Sequence, residues 1–229
     1  MRQVLTSLLQ VLFPSTCAAC GRVLAAGERQ ICMHCLSELD ETGLAEESDN
    51  AVERKLAGRI HLQAAMSLYR FHHDSTVQRV VHAMKYHGND RLCLMMGRQL
   101  GLALAGSGRF DDTDLLVPVP LHWRRRLARG YNQSELICRG IAEVFPRPIE
   151  SAAVVRQRYT RKQSRQSGLR RADNVAGAFS VRHPERLVGH HVLLVDDVLT
   201  TGATLCACAE PMLVVDGLRL SVATLTIAG

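Results

Sequence analysis

Fourteen consecutive residues, His191-Val192-Leu193-Leu194-Val195-Asp196-Asp197-Val198-Leu199-Thr200-Thr201-Gly202-Ala203-Thr204, leave little freedom in how this chain folds. The apolar, β-branched run to Val195 reads as a strand buried on both faces. Two adjacent carboxylates follow, then a small, hydroxyl-rich turn and a helix-like segment from about Leu205. In an open α/β sheet, ligands bind outside the carboxyl ends of the strands, where these acids fall. Backbone N–H groups of the turn can approach a phosphate at a helix N-terminus, and the acids can accept hydrogen bonds from vicinal hydroxyls. A phosphate and a diol about one sugar apart describe a ribose 5-phosphate. Carboxylates that only complement a helix N-terminus would explain the acids, but not the whole ordered run.

Charge is distributed unevenly around this stretch. The chain of 229 residues carries a formal net charge of +6. Thirteen basic residues against three acids lie between Leu121 and Arg171, whereas Leu36 to Glu53 holds seven acids and no Lys or Arg. A basic middle suits an anionic partner. Aromatic residues make up only 4% of the chain, which argues against an extended base-stacking surface.

Cys17-Ala-Ala-Cys20 and Cys32-Met-His-Cys35 are two Cys-x-x-Cys pairs separated by eleven residues. Four thiolates at this spacing predict a closed, structural zinc site, in preference to a disulfide mini-domain or a redox dithiol. His34 lies between ligands and reads as a bystander. Cys93, Cys138, Cys206 and Cys208 sit among apolar residues and read as small buried hydrophobes. The apolar Val4–Phe13 segment is too short to span a bilayer. It reads as a short helix covering the zinc module, not as a secretory core, because no later segment demands secretion. The cytoplasm is the expected compartment, with no transmembrane segment.

Residues 41–57 read as a solvated acidic linker, which divides the chain into a zinc module at 1–40 and a larger domain at 58–229. Within that domain Ala65–Phe71 alternates like a strand. Val77, Val80, Val81 and Met84 form one helical face after a start at Asp74-Ser75, and a second helix is expected from Arg91 to about Ala105. Asp114 to Val119 reads as a strand ended by Pro118 and Pro120. The segment from Leu121 to Gln133 then reads as an arginine-bearing loop, suited to bidentate contacts with a polyphosphate or to a nucleic-acid backbone. A helix follows to about Val144. Arg156 to Gly168 is basic, Ser/Gln-rich and without an apolar face, so it reads as a mobile loop. Leu218–Ile227 supplies a last strand, and Pro211 predicts that the helix after the phosphate turn is short.

Taken in order, these segments resemble the ComF family, including its GntX-like members. The resemblance rests on the two Cys pairs, Lys85-Tyr86 with Gly88, Val117-Pro118-Val119-Pro120, Arg129-Gly130-Tyr131-Asn132-Gln133, Thr160-x-x-Gln163, Arg171-x-x-Asn174, Phe179 and the Asp-Asp-x-x-Thr-Thr-Gly-x-Thr loop. The last resembles the phosphoribosyl pyrophosphate (PRPP) motif of type I phosphoribosyltransferases. The resemblance implies an α/β fold with a mainly parallel five-stranded sheet flanked by helices, behind a zinc ribbon built on four cysteines. It implies that Asp196 and Asp197 hold the ribose hydroxyls and that Thr200, Thr201, Gly202, Ala203 and Thr204 hold the 5-phosphate. Arg125, Arg129 and Lys85 would face the pyrophosphate, with Thr160 and Gln163 on a covering flap. Zinc is implied as a structural ion and Mg²⁺ as the companion of PRPP. Two functions follow as expectations: pentosyl transfer from PRPP to an unidentified acceptor, or a non-enzymatic part in DNA uptake or use, with DNA or competence-machinery proteins as partners. An oligomer is compatible with either.

Overall fold

The computed structural model describes residues 14–86, 88–157 and 177–228. The N-terminal apolar segment and the basic loop with Thr160, Gln163, Arg171 and Asn174 lie outside the described residues, as does His87. The central sheet contains β1 (Ala65–Phe71), β2 (Leu115–Pro118), β5 (His191–Leu199) and β6 (Arg219–Ala228), all parallel, in the order β1-β6-β5-β2. The described sheet thus has four parallel strands, not the expected five. Residues 148–150 pair with β2 through a single bridge, with Leu116 N–H donating to Pro148 O and Glu150 N–H to Leu116 O. Pro146 and Pro148 lack N–H donors and keep this segment from extending into a strand. The chain then enters a separate antiparallel pair, β3 (Val154–Arg156) and β4 (Phe179–Val181).

Why the β5 sequence is a continuous apolar run is visible in its surroundings. Leu193 and Val195 point into a core shared with α3 (Thr76–Ala83), α4 (Asp90–Ser107) and α6 (Gln133–Ala142). Val192 and Leu194 point the other way, toward α2 (Ala51–Leu56), α7 (Ala203–Ala209) and the β3–β4 pair. A strand covered on both faces has no polar side to show. α4 and α6 approach closely because Gly97 and Gly140 face each other's backbone. A Cβ on Gly97 would collide with the carbonyl of Ile137, and one on Gly140 with that of Leu94.

The zinc module is part of this core. Cys17, Cys32 and Cys35 pack in the same apolar cluster as Val77, Val80 and Val81 of α3. Glu38, just after α1 (Met33–Ser37), accepts a hydrogen bond from Thr76 Oγ1 at 2.5 Å. Residues 41–57 are packed rather than solvated. Glu41 bridges Tyr69 of β1, Thr42 N–H donates to Leu68 O, and the Asn50 side chain caps α2, whose Val52 and Leu56 are buried. The acids there reflect the exposed side of an ordered segment. Ser75 caps α3 by accepting from Gln78 N–H at 3.1 Å, as its sequence position suggests.

A candidate ligand cleft at the carboxyl end of the sheet

β5 continues past Val195 to Leu199, because β6 stays paired with it from His191↔Arg219 through Leu199↔Ile227. β2 leaves earlier. Val119 N–H makes its last bond, to Val195 O at 2.9 Å, and Pro120 follows. The acid pair therefore sits inside the strand, at the level where its β2 side opens. The connection after β2 leads to α6 on one face of the sheet, and the connection after β5 leads to α7 on the other. This reversal creates a crevice of the kind that holds ligands in open α/β sheets. A cleft of about 480 Å³ lies there, within the range of small-molecule sites.

Asp196 is 9% exposed and accepts from Ser134 Oγ at 2.9 Å and from the Asp197 N–H at 2.9 Å. Burial, and then the neighbouring Asp197 carboxylate, push the Asp196 carboxyl up to about 7. Asp197 pairs with Lys85 Nζ at 3.2 Å. Thr200, Thr204, Arg125 and Arg129 line the same cleft. Gly202 has φ of +77° and no room for a Cβ against the Leu56 side chain, so glycine is required at this turn. Thr201 turns inward to the loop: its Oγ1 accepts from Ala203 N–H at 3.4 Å, and its carbonyl accepts from Arg59 Nη1 at 2.6 Å. Helix α7 stops at Ala209, before Pro211, as a short helix should.

The arginine-bearing segment contains a helix, α5 (Trp123–Arg129), rather than a loop throughout. His122 Nδ1 caps its start by accepting from Arg124 N–H at 3.2 Å, and Gly130 ends it with φ of +82°. Burial, and then Arg124, Arg156 and Arg125, depress the pKa of His122, keeping the ring in the neutral form that this acceptor role needs. No residue of α5 is buried.

Among the cleft residues that the sequence does not assign to the site are Arg156, Gln133 and Ser134. Arg156, on β3, lines the cleft, and its guanidinium lies 5.1 Å from the Phe179 ring centre. Burial, and then Arg125, lower its pKa, a cost that a bound anion would relieve. Gln133 is 3% exposed; its Oε1 accepts from Arg129 Nη1 at 2.9 Å, and its Nε2 has no hydrogen-bond partner among the described residues. Ser134 follows it at the start of α6, where Asn132 does not cap the helix because its side chain donates to Val119 O. The Asn132-Gln133 pair at the head of an apolar-periodic helix was the available signal.

The four ribbon thiols are a separate centre. All four sulfurs lie within 4.8 Å of one another, and Cys20 Sγ to Cys32 Sγ is 3.8 Å. Tetrahedral zinc with Zn–S near 2.3 Å sets sulfurs about 3.8 Å apart, so the residues fit that ion. Burial opposes ionisation of Cys17, but the N–H groups of Cys32, Cys20 and Ala19 outweigh it and lower the thiol to about 6. Burial and the surrounding thiols push Cys35 the other way.

Comparison with known proteins supports the ribbon directly. Residues 8–46 match the family described as double zinc ribbon domain. The chain is 33% identical to the DNA utilization protein YhgH of Escherichia coli (strain K12) over 137 residues, 58% of this chain and 60% of that protein. It is 30% identical to competence protein F of Haemophilus influenzae over 138 residues, with the same coverage. The chain is thus similar in sequence to proteins named for DNA utilization and competence. It spans about 60% of the length of the curated relatives it matches. Among solved structures, the chain is similar to a glutamine PRPP amidotransferase from B. subtilis complexed with ADP and GMP. That match has 16% identity and TM-score 0.40, and covers 62% of this chain and 30% of that one. It is also similar to a hypoxanthine phosphoribosyltransferase from Trypanosoma cruzi complexed with IMP, at 17% identity and TM-score 0.34, over 60% of this chain and 64% of that one. No helix among the described residues is long and apolar enough to cross a membrane.

Proposed function

We propose that the cleft binds a ribose 5-phosphate carrying a second anionic group, with PRPP as the ligand. The observation that carries this reading is the Asp196–Asp197 pair. It lines one cleft together with Thr200 and Thr204 of the turn and with the arginines 125, 129 and 156. In this reading the acids accept from the ribose hydroxyls, the turn receives the 5-phosphate, and the guanidiniums receive the pyrophosphate. Lys85, held by Asp197, swings toward the phosphates when the diol takes its place. Mg²⁺ usually keeps several waters and joins one or two carboxylates to substrate phosphates. Asp196 is buried and holds Ser134, so Asp197, once released by Lys85, is the carboxylate that would hold the ion beside the PRPP oxygens. What Mg²⁺ supplies when bound is neutralisation of the leaving pyrophosphate. We propose pentosyl transfer to an acceptor as the activity. Titration calorimetry with PRPP and Mg²⁺ tests the premise: wild type binds, and Asp196→Asn/Asp197→Asn loses at least tenfold in affinity. No heat with the wild type refutes it. Pyrophosphate release across a panel of acceptors then separates a transferase from a regulatory binder.

A second reading, contact with single-stranded DNA, has its own observation. On α5, Trp123 is 57% and Leu127 76% exposed, and the Arg124 guanidinium lies 5.2 Å from the Trp123 ring centre. An exposed ring beside guanidiniums suits base stacking with phosphate contact. Oligonucleotide binding at two salt concentrations tests it with Trp123→Ala and Arg124→Ala/Arg126→Ala. Affinity and salt slope unchanged in both variants remove α5 as the contact.

A further inference from the structure

Two stretches far apart in the sequence, Lys85-Tyr86 and Arg129-Gly130-Tyr131-Asn132-Gln133, are joined in the fold by a hydroxyl that the cleft itself does not use. Tyr131 Oη donates to Met84 O at 2.9 Å. Met84 is fully buried, closes the C-terminal end of α3 and precedes Lys85. The last carbonyls of a helix find no partner within it. Here side chains from elsewhere meet them: Asn89 Nδ2 donates to Ala83 O at 3.0 Å, and Cys93 Sγ adds only a weak contact to Met84 O at 3.8 Å. Arg129, Asn132, Gln133 and Ser134 line the cleft, whereas Tyr131 turns away and packs against the core shared by α3, α4 and α6. Its neighbour Asn132 donates to Val119 O at 3.1 Å. Adjacent residues at the head of α6 thus hold the end of α3 and the end of β2.

We infer that Tyr131 is a positioning residue for Lys85. Its hydroxyl fixes the backbone from which the lysine extends, and so sets where the ammonium works relative to Asp197 and Arg129. A lysine is a point charge on a flexible four-carbon stem, so its placement depends on how firmly the base of that stem is held. Without the hydroxyl, the buried Met84 carbonyl keeps only the weak thiol contact, and the last turn of α3 is free to shift with Lys85 on it. The inference rests on the PRPP reading of the cleft, in which Lys85 and Arg129 face the pyrophosphate. It adds a source of specificity: the clasp between Tyr131 and Met84 holds the two cations in register, which favours a pyrophosphorylated sugar over ribose 5-phosphate.

The test is a double-mutant cycle on the full zinc-loaded chain, read as equilibrium binding of PRPP with Mg²⁺ and of ribose 5-phosphate. Tyr131→Phe keeps the ring in its core and removes the hydroxyl alone. It should weaken PRPP about fivefold, the loss expected for one hydrogen bond, and leave ribose 5-phosphate within about twofold, which also reports correct folding. In a Lys85→Met background the same substitution should change PRPP affinity by less than about twofold, because the cation it places is gone. A residue that only supports the fold would not show this dependence on Lys85. If Tyr131→Phe leaves PRPP affinity unchanged, costs the same in both backgrounds, or weakens the two ligands equally, this inference fails and the PRPP reading stands. If wild type does not bind PRPP, that reading fails and the inference falls with it.

Discussion

Asp196 is where ligand binding and stability oppose each other, and Asp196→Asn separates them. The carboxyl titrates near 7 in the folded chain and near 3.8 in an unfolded one. The unfolded state therefore releases its proton first as pH rises, so wild-type stability falls between these values. At 1.36 kcal/mol per pH unit, ionised Asp196 costs the fold about 4 kcal/mol above neutrality. Asparagine keeps an oxygen for the Ser134 hydroxyl and the residue 197 N–H without the charge. Urea unfolding of both proteins in the zinc-loaded form provides the assay. The variant should be the more stable, by about 2 kcal/mol at about pH 5.5 and about 4 kcal/mol at about pH 8.5. A gap that stays constant with pH, or a variant less stable throughout, refutes the argument that buried charge at Asp196 is the cost.

Three further outcomes are expected. The protein should carry about one zinc per chain by elemental analysis, and Cys17→Ser should lose it together with a large part of its thermal stability, since structural zinc contributes on the order of 10 kcal/mol of apparent folding energy. Gly140→Ala should lose about 3 kcal/mol in denaturant unfolding, because the added methyl meets the Leu94 carbonyl across the α4–α6 contact. Gln133→Met removes a buried amide donor that lacks a partner. It should raise stability by about 1 kcal/mol while weakening binding of inorganic pyrophosphate about tenfold, both readable by calorimetry.

The parts of the fold set by local pattern were legible in the sequence. The β5 run, the Ser75-capped α3 and the two Cys pairs each carry their instruction within a few residues, and they stand where that instruction puts them. Helix α5 was hidden because its arginines show no apolar face, although arginine is a good helix former and His122 and Gly130 are fair end signals. Arg156 could not be placed from sequence at all. It reaches the cleft only through the β3–β4 pair, whose geometry depends on residues far apart in the chain.

The bridge between Glu41 and Tyr69 has a further consequence. Without it, β1 would be an outer strand with a bare row of N–H and C=O groups, a template for pairing with another chain. Residues 40–42 cover that row, with Arg70 N–H donating to Asp40 O and Thr42 N–H to Leu68 O. Thr42 Oγ1 donates to Ser67 O and Arg70 pairs with Asp40, and the ribbon of four thiols leads directly into this segment. Stripping the metal would therefore uncover an adhesive strand as well as loosen a small module, and self-association would accompany its loss.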